Sequence, residues 1–239
     1  MKVQTKLAAA LLLATAGTAA QAEVSANATV ASNYLWRGLT QTVDGPMIGG
    51  GIDYSNESGF YAGTWAANVS YAADDTFSYE HDVYFGFAGE AGDVSYDVGY
   101  LYYNYNDAGN FDFAEIYATV GFQDFSASYY VLAHTEADEA EGQDFGFGQA
   151  YYVSLDYGFD LGADWSAAVH YGYHHGDFVE AFNFGDGHTY DYSDYSVSFA
   201  KDAFTFTVSD TDVNDTTGYL SNGDFKYCLL YTSPSPRDA

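Results

Sequence analysis

Apolar and polar residues alternate with a period of two along most of this sequence. Residues 94–102 are a clear case, because they read Val-Ser-Tyr-Asp-Val-Gly-Tyr-Leu-Tyr. Successive side chains of a β-strand point to opposite faces, so this period gives a strand one apolar and one polar face. No comparable stretch of the sequence sustains a helical period. The alternation therefore predicts an all-β fold.

Eleven strands follow from this alternation and from the turn signals between the segments. We predict them at about 26–37, 46–55, 59–71, 77–89, 93–105, 111–122, 125–134, 149–159, 164–174, 189–200 and 203–211. Tight turns alternate with longer acidic or glycine-rich connections, which fall at 38–45, 72–76, 106–110, 135–148, 175–188 and 212–225. Short turns at one end and long loops at the other are typical of outer-membrane barrels.

The predicted fold class is a transmembrane antiparallel up-and-down β-barrel with about 12 strands in the intact protein, of which 11 are present. Bacterial single-chain barrels have an even number of strands, so eleven strands require a twelfth. A secreted β-sandwich is the alternative, because its strands alternate too. Aromatic residues near strand ends, such as Trp36, Trp65 and Trp165, favour the barrel, because barrels carry aromatic girdles at both membrane interfaces.

The first residues have the three parts of a secretory signal. Lys2 and Lys6 precede an apolar run that ends near Ala14, and Ala20-Gln21-Ala22 supplies a cleavage site with small residues. This pattern predicts that residues 1–22 are a signal peptide and that the mature chain is exported.

The last residues differ in composition from everything before them. Residues 228–239 contain the only Cys and two of the three Pro, and they resemble a translated sequencing adapter. We therefore expect a non-native tail at 228–239, and a barrel at 23–227 whose last strand is missing. An open sheet at membrane depth leaves two edges unpaired, so this chain is expected not to assemble.

The charge of the chain excludes several classes of protein. Asp and Glu number 34 against 6 Lys and Arg, which gives a net charge of −28. A nucleic-acid binder needs clustered cations that this chain lacks. The hydrophobic content of 48% excludes an acidic disordered chain, and a single Cys excludes a disulfide scaffold.

The polar faces of the predicted strands carry carboxylates. If Val98, Ile116 and Leu155 face lipid, strand parity gives six pore-lining residues: Asp53, Asp82, Asp97, Glu115, Asp156 and Asp194. Carboxylates are costly on the lipid face, so a hydrated lumen is the place for them. Such a pore should concentrate cations. Alternatively, the excess of acidic residues suits a saline habitat and does not determine ion selectivity.

The histidines give no strong indication of an enzyme or a metal site. His170 and His174 share a strand face with Ser166, but residues four apart on one face are about 13 Å apart, too far for a nucleophile and its base. A metal site built from His170, His174, His175 and His188 meets the same limit. We therefore predict no catalytic residue, no metal and no cofactor.

Two stretches resemble a known family. Residues 33–42 read Asn-Tyr-Leu-Trp-Arg-Gly-Leu-Thr-Gln-Thr, and residues 57–65 read Glu-Ser-Gly-Phe-Tyr-Ala-Gly-Thr-Trp. They resemble the TorF family of porin-like proteins, most strongly over 26–71, while the strand rhythm extends the resemblance to about residue 220. The positions that carry the motif are Tyr34, Arg37, Gly38, Glu57, Gly59, Phe60, Tyr61, Gly63 and Trp65. The resemblance implies an outer-membrane barrel of a Gram-negative bacterium that acts as a pore.

Together these observations predict an exported outer-membrane porin, a passive pore for small polar solutes with a preference for cations. Its expected partners are outer-membrane lipid, the barrel-assembly machinery and small polar or cationic solutes, with no nucleic acid. A non-conducting barrel that binds ligands or acts as an adhesin, and a barrel hydrolase, are the alternatives. Whether a loop folds inward to plug the lumen stays open at this stage.

Overall fold

A computed structural model describes residues 22–71, 77–106, 111–179, 191–213 and 224–233 of the chain. Twelve antiparallel strands form one closed barrel, and two further short strands form a separate hairpin. The barrel strands are β1 Glu23–Ala31, β4 Met47–Ser55, β5 Phe60–Asn68, β6 Tyr79–Ala91, β7 Val94–Tyr105, β8 Phe113–Phe122, β9 Phe125–Thr135, β10 Tyr151–Gly162, β11 Trp165–His175, β12 Tyr192–Lys201, β13 Phe204–Thr211 and β14 Lys226–Ser233. The hairpin consists of β2 Leu35–Trp36 and β3 Leu39–Thr40. Among the described residues, no helix has the length and apolar character needed to cross a membrane.

The predicted fold class is confirmed, since the structure is a closed antiparallel barrel of twelve strands joined mainly in sequence order. Eleven of these strands lie at the predicted places within a few residues. The first differs most, because the predicted strand 26–37 ends at Ala31 and the chain then turns into the lumen.

The prediction that the last strand is missing is wrong. Strand β14 pairs with β13 on one side and with β1 on the other, which closes the barrel. Its Tyr227 and Leu229 are exposed on the outer face, whereas Lys226 and Cys228 are buried inside. The unusual composition of this segment concealed an alternation that fits a barrel strand. Closure pairs both sheet edges, so the expected open sheet is wrong as well.

The barrel therefore extends beyond residue 227, to Ser233. The non-native origin of residues 228–239 stays a prediction, and 234–239 lie outside the described residues. The predicted signal peptide also lies outside them, apart from Ala22.

The outer face of the barrel is a broad apolar surface. Val98 is 50% exposed there and Leu155 is 54% exposed, and other strands expose similar residues, such as Ile52, Val120 and Phe206. Alternate residues on the same strands point inward, as the period of two requires. An apolar exterior around a polar interior is the distribution that a barrel in lipid needs.

Inward tyrosines lie across inward glycines of neighbouring strands. A Cβ atom added to Gly63 would come within 2.5 Å of the Tyr84 ring, and one added to Gly99 would meet the Tyr117 hydroxyl at the same distance. Glycine in a strand interior often marks such a close approach. The abundance of Tyr and Gly in the sequence is therefore partly explained by one repeated packing arrangement.

Candidate functional site in the barrel lumen

The lumen is divided into two halves of different character. We call the end with the long connections the loop half, and the end with the tight turns at 56–59, 92–93, 123–124, 163–164 and 202–203 the turn half. Each of the twelve strands buries at least one inward side chain in the loop half, as shown by Ala31, Met47, Ala67, Asp82, Tyr103, Glu115, Leu132, Tyr152, His174, Asp194, Thr211 and Lys226. Most inward side chains of the turn half are partly exposed.

Residues 32–46, which we call the inserted loop, pack into the loop half together with side chains of other connections such as Phe145 and Phe178. This segment follows β1 and folds back into the barrel instead of standing above it. Its strands pair Leu35 with Thr40 and Trp36 with Leu39, which leaves Arg37 and Gly38 at the tip. Leu39 is 1% exposed and Thr40 is fully buried. The first long connection therefore folds into the lumen instead of extending away from it.

Hydrogen bonds to the barrel wall hold the inserted loop in place. The Tyr34 hydroxyl donates to Glu80 Oε1 at 2.6 Å, and Lys226 Nζ donates to Asp44 Oδ2 at 2.8 Å. At the tip, the Tyr192 hydroxyl donates to the carbonyl oxygen of Arg37 at 3.1 Å. These contacts reach strands β6, β12 and β14, so the loop is anchored on widely separated parts of the wall.

Arg37 lies at the centre of this arrangement. Its Nη2 donates to Glu115 Oε2 at 2.7 Å, and its Nη1 lies 3.0 Å from His174 Nε2. A guanidinium can only donate, so Nε2 of His174 is the acceptor and its imidazole is neutral. The guanidinium carbon lies 4.3 Å from the ring centroids of both Trp36 and Tyr152 and 5.1 Å from that of Tyr130. These are cation–π distances.

Arg37 remains a cation despite its burial. It belongs to the inserted loop and not to a barrel strand, and its side chain is 6% exposed. Burial alone would lower the pKa of Arg37, but the Glu115 carboxylate and the nearby Tyr103 raise it, and the net direction is upward. The site therefore combines one charge-assisted hydrogen bond with an aromatic enclosure.

A second polar cluster lies beside Arg37 on strands β10 to β12. Nδ1 of His170 is 2.7 Å from Asp156 Oδ1, and its Nε2 is 2.9 Å from Asp194 Oδ1. Two carboxylate partners require both ring nitrogens to donate, which is the cationic form of the imidazole. The Tyr152 hydroxyl donates to Asp194 Oδ2 at 2.9 Å, so the ring that covers Arg37 is also part of this cluster.

The turn half has a simpler lining. Asp97 accepts a hydrogen bond of 2.5 Å from the Tyr61 hydroxyl, and Asp53 accepts one from Tyr84. Elsewhere hydroxyl groups pair across strands, as Ser198 and Thr207 do at 2.8 Å. These side chains are partly exposed, so water can reach them.

All six carboxylates predicted from parity point inward, but they do not form one ring. Those in the loop half, Asp82, Glu115 and Asp194, are each less than 5% exposed. Asp53 and Asp97 lie in the turn half, and Asp156 lies between the two groups beside His170. Their role as pore-lining residues is taken up under the proposed function.

The family-motif residues occupy two places in the structure. Tyr34, Arg37 and Gly38 lie in the inserted loop, so the prediction that the first wall strand extends to Arg37 is wrong. Its physical partners are inside the lumen, where strand parity gives no information. The others lie in the turn before β5 and in β5 itself: Glu57, Gly59, Phe60, Tyr61, Gly63 and Trp65.

Two of the aromatic residues assigned to interface girdles are instead inside the barrel. Trp36 packs edge-on against Tyr103 and His174, and Trp65 packs edge-on against Tyr34 at 5.6 Å. Trp165 is on the outer face and 44% exposed. Counting aromatics near strand ends did not separate the two faces.

Three further residues of the site, Glu80, Tyr130 and Tyr152, are not among those predicted from the sequence. Glu80 is buried and accepts hydrogen bonds from the hydroxyls of Tyr34 and Tyr105, each at 2.6 Å. Parity could have found Glu80, since it is two residues from Asp82 on the same face. The two tyrosines carry no such signal, because tyrosines point outward as well as inward along the described strands.

The structure gives little support to a hydrolase or a metal site built from the histidines. The described hydrogen bonds of His170 reach Asp156, Asp194 and Tyr152, and none of them reaches a serine. Within the described ranges, no group of three or more His, Cys, Asp or Glu could hold a metal ion. His188 lies outside those ranges.

The closed barrel with its polar lumen has the fold of a porin. The KdgM porin shares 8% sequence identity with this chain at a TM-score of 0.54, with 88% of this chain and 98% of that one covered. The KdgM porin in complex with disordered oligogalacturonate gives 7% identity, a TM-score of 0.51, and coverage of 89% and 98%. A structure titled "Unveiling the Mechanism Behind the in-meso Crystallization of Membrane Proteins" gives 10% identity, a TM-score of 0.53, and coverage of 88% and 83%. At such identities the likeness concerns the fold alone.

The chain belongs to a family of bacterial proteins of unknown function, Gcw_chp, whose model matches residues 15–229. A comparison with curated protein sequences gives no match. The family match therefore supports a bacterial protein and leaves its function to be argued from the site.

Proposed function

We propose that the protein is an outer-membrane porin-like channel for small polar solutes, that it prefers cations, and that the inserted loop gates it. The charge of the lumen carries this proposal. In the described part of the chain, Arg37 and Lys226 are the only Lys or Arg side chains directed inward, and each is paired with a carboxylate. The remaining inward carboxylates, which include Asp53 and Asp97, leave the lumen acidic. Such a lining concentrates cations.

The setting of the channel is part of the same proposal. The resemblance to the TorF family, the signal-like residues 1–22 and the apolar outer face together support export to the outer membrane of a Gram-negative bacterium. Insertion there would use the barrel-assembly machinery and place lipid against the outer face. The solved KdgM porin complex contains oligogalacturonate. An acidic sugar of that kind would meet an acidic lumen here, so neutral and cationic solutes fit this chain better.

The inserted loop determines when solutes can pass. Because the inserted loop lies in the loop half, where every strand buries an inward side chain, the closed arrangement supports a gated channel instead of a constantly open one. We therefore give Glu115 and Asp194 a role in holding the gate, and Asp53 and Asp97 a role in lining the permeation path. No residue is given a catalytic role.

Reversal potentials in a potassium chloride gradient test the selectivity. The protein is reconstituted in planar bilayers with the inserted loop shortened, and we expect a potential that favours potassium. The double variant Asp53→Asn with Asp97→Asn should weaken this preference, whereas Asp164→Asn in an exposed turn should leave it unchanged. A preference for chloride, or one that the double variant does not alter, contradicts the assignment.

Labelling of intact cells tests the orientation. An epitope inserted at Gly142, in an exposed long loop, should be accessible from outside. One inserted at Asp164, in a tight turn, should be accessible only after the outer membrane is opened. The reverse pattern would place the loop half in the periplasm.

A second candidate is a ligand-binding barrel without conductance, which the filled loop half favours. It predicts no current steps even after the inserted loop has been shortened, so the bilayer experiment separates the two functions.

A further inference from the structure

Arg37 is held as a bound ligand would be held, because most of its partners belong to the barrel wall and not to its own loop. Glu115 comes from β8, Tyr130 from β9, Tyr152 from β10 and His174 from β11. Four consecutive wall strands therefore converge on one guanidinium group. We call these four residues the guanidinium cage.

The cage would persist without the loop. Trp36 leaves with Arg37, but the rings of Tyr130 and Tyr152 and the Glu115 carboxylate are fixed on the sheet. Their positions are further supported by hydrogen bonds from wall residues, such as that of the Tyr103 hydroxyl to Glu115 Oε2 at 3.2 Å. Two aromatic faces and one carboxylate are the elements that recognise an organic cation.

The inserted loop does not satisfy every polar atom around the cage. Among the described residues, Oδ1 of Asp82 and Nε1 of Trp36 are buried without a hydrogen-bond partner. Asp82 is 3% exposed and is the register partner of Tyr103, whose hydroxyl contacts Glu115. A buried carboxylate oxygen without a partner is costly. The region beside the cage can therefore accept a further donor or positive charge.

The hairpin that carries Arg37 is not part of the barrel ladder. Strands β2 and β3 pair only with each other and form a two-stranded sheet outside the barrel ladder. At the tip, Arg37 has a φ of 49°, which is uncommon for a residue with a side chain. Strain of this kind is known at ligand clamps and switch regions. Withdrawal of the loop would relax it and leave the cage empty.

We propose that the guanidinium cage is a binding site for small solutes that carry a guanidinium group, and that Arg37 occupies it as an internal competitor. A guanidinium solute takes the place of Arg37 between Tyr130 and Tyr152, and its second polar group lies toward Asp82. This inference deepens the proposed function, since it rests on the lumen as a solute path and names one class of solute.

Calorimetric titration of the full chain in phospholipid nanodiscs tests the proposal without any need for current. The probe is agmatine, and the control ligand is cadaverine, a diamine of similar length without a guanidinium group. We expect Arg37→Ala to bind agmatine saturably and at least tenfold more tightly than the unaltered chain, because a tethered group competes at an effective concentration in the millimolar range. Cadaverine should bind Arg37→Ala more weakly than agmatine does.

Two further variants define the site. Adding Glu115→Gln to Arg37→Ala should abolish agmatine binding, whereas adding Asp164→Asn in an exposed turn should not. If Arg37→Ala alone does not fold, its refolding yield with agmatine or cadaverine replaces the titration, and rescue by agmatine only is the expected result. Equal binding to the unaltered chain and to Arg37→Ala, binding that survives Glu115→Gln, or equal rescue by both amines would overturn the proposal.

These experiments distinguish failure of the guanidinium site from failure of the proposed channel function. Agmatine binding to the cage without conductance in any variant would refute the channel and retain the site. Conductance in loop-shortened protein without agmatine binding to Arg37→Ala would retain the channel and refute the site.

Discussion

The two halves of the lumen are built from the same strands but place their carboxylates in different environments. In the loop half, Glu115 is 4% exposed and contacts a buried guanidinium. In the turn half, Asp97 is partly exposed and accepts a hydrogen bond from one tyrosine. Inward parity alone therefore does not assign a role to a carboxylate. Access to water decides whether an inward carboxylate stabilises a packed structure or lines a path for ions.

The inserted loop contributes to this difference, because it brings Arg37 and apolar side chains into the loop half. Removing water strengthens the attraction between Arg37 and Glu115 and makes any unpaired charge nearby more costly. The turn half has no inserted segment among the described residues, so its side chains keep contact with solvent. Matched changes in the two halves should therefore have unequal effects.

The largest effect is expected when the tip of the inserted loop is replaced. Replacing residues 35–40 with a Gly-Ser segment of equal length removes Arg37 and the buried Leu39. We expect the unaltered chain to give few or no current steps in planar bilayers and the variant to give frequent ones. The matched control replaces residues 138–143 in an exposed loop with the same segment and should behave as the unaltered chain does. Similar currents from all three proteins would show that the inserted loop does not block conduction.

Removing one carboxylate from each half should give the next largest difference. Glu115→Ala leaves Arg37 buried without its charge partner, which we expect to lower the free energy of unfolding by about 3–5 kcal/mol. Asp97→Ala removes one hydrogen bond near water and should cost about 1 kcal/mol. Urea unfolding in lipid, followed by tryptophan fluorescence, measures both. The loss of unfolding free energy for Glu115→Ala could instead be no larger than that for Asp97→Ala. This result would mean that the inserted loop leaves the lumen when Arg37 has no charge partner, and conductance should then increase.

Alanine substitutions at two glycines with similar backbone conformations separate the effect of steric crowding from that of backbone strain. Gly38 has a φ of +80° and Gly142 a φ of +95°, so alanine is strained at both positions. A Cβ atom at Gly38 would meet Thr211 at 2.6 Å and Asp194 at 2.7 Å, whereas nothing lies within 4 Å at Gly142.

We therefore expect Gly142→Ala to cost about 1 kcal/mol and Gly38→Ala about 1–3 kcal/mol more, because only the second overpacks the loop half. The same urea titration compares them. Equal losses would show that the wall at Thr211 and Asp194 yields to the added methyl group.

The sequence could predict features that depend on neighbouring residues, but not features that depend on contacts between residues far apart in the chain. The period of two is a local property, so it gave eleven strands and the inward direction of Asp53, Asp97 and Glu115. The inserted loop depends instead on the fit between Arg37 and Glu115, which are 78 residues apart. A local pattern carries no information about such a contact. Strand β14 was missed for another reason, since its unusual composition outweighed an alternation that was present.

The smallest difference is expected from one hydroxyl group in each half. In the loop half, the buried Thr42 hydroxyl donates to the carbonyl of Gly45 at 2.6 Å and accepts from the backbone N–H of Tyr34 at 3.2 Å. In the turn half, the Thr207 hydroxyl pairs with Ser198 near solvent. Valine has the same shape as threonine, so Thr42→Val and Thr207→Val remove only the hydroxyl.

Thr42→Val should lower the free energy of unfolding by about 1–2 kcal/mol, because the buried N–H of Tyr34 and the partly buried carbonyl of Gly45 lose their partner. Thr207→Val should cost less than about 1 kcal/mol, because water can bind Ser198 instead. Urea unfolding of both variants under the same lipid conditions measures the difference. Equal and small losses would mean that water enters the loop half, and the division of the lumen into a dry and a hydrated half would then fail.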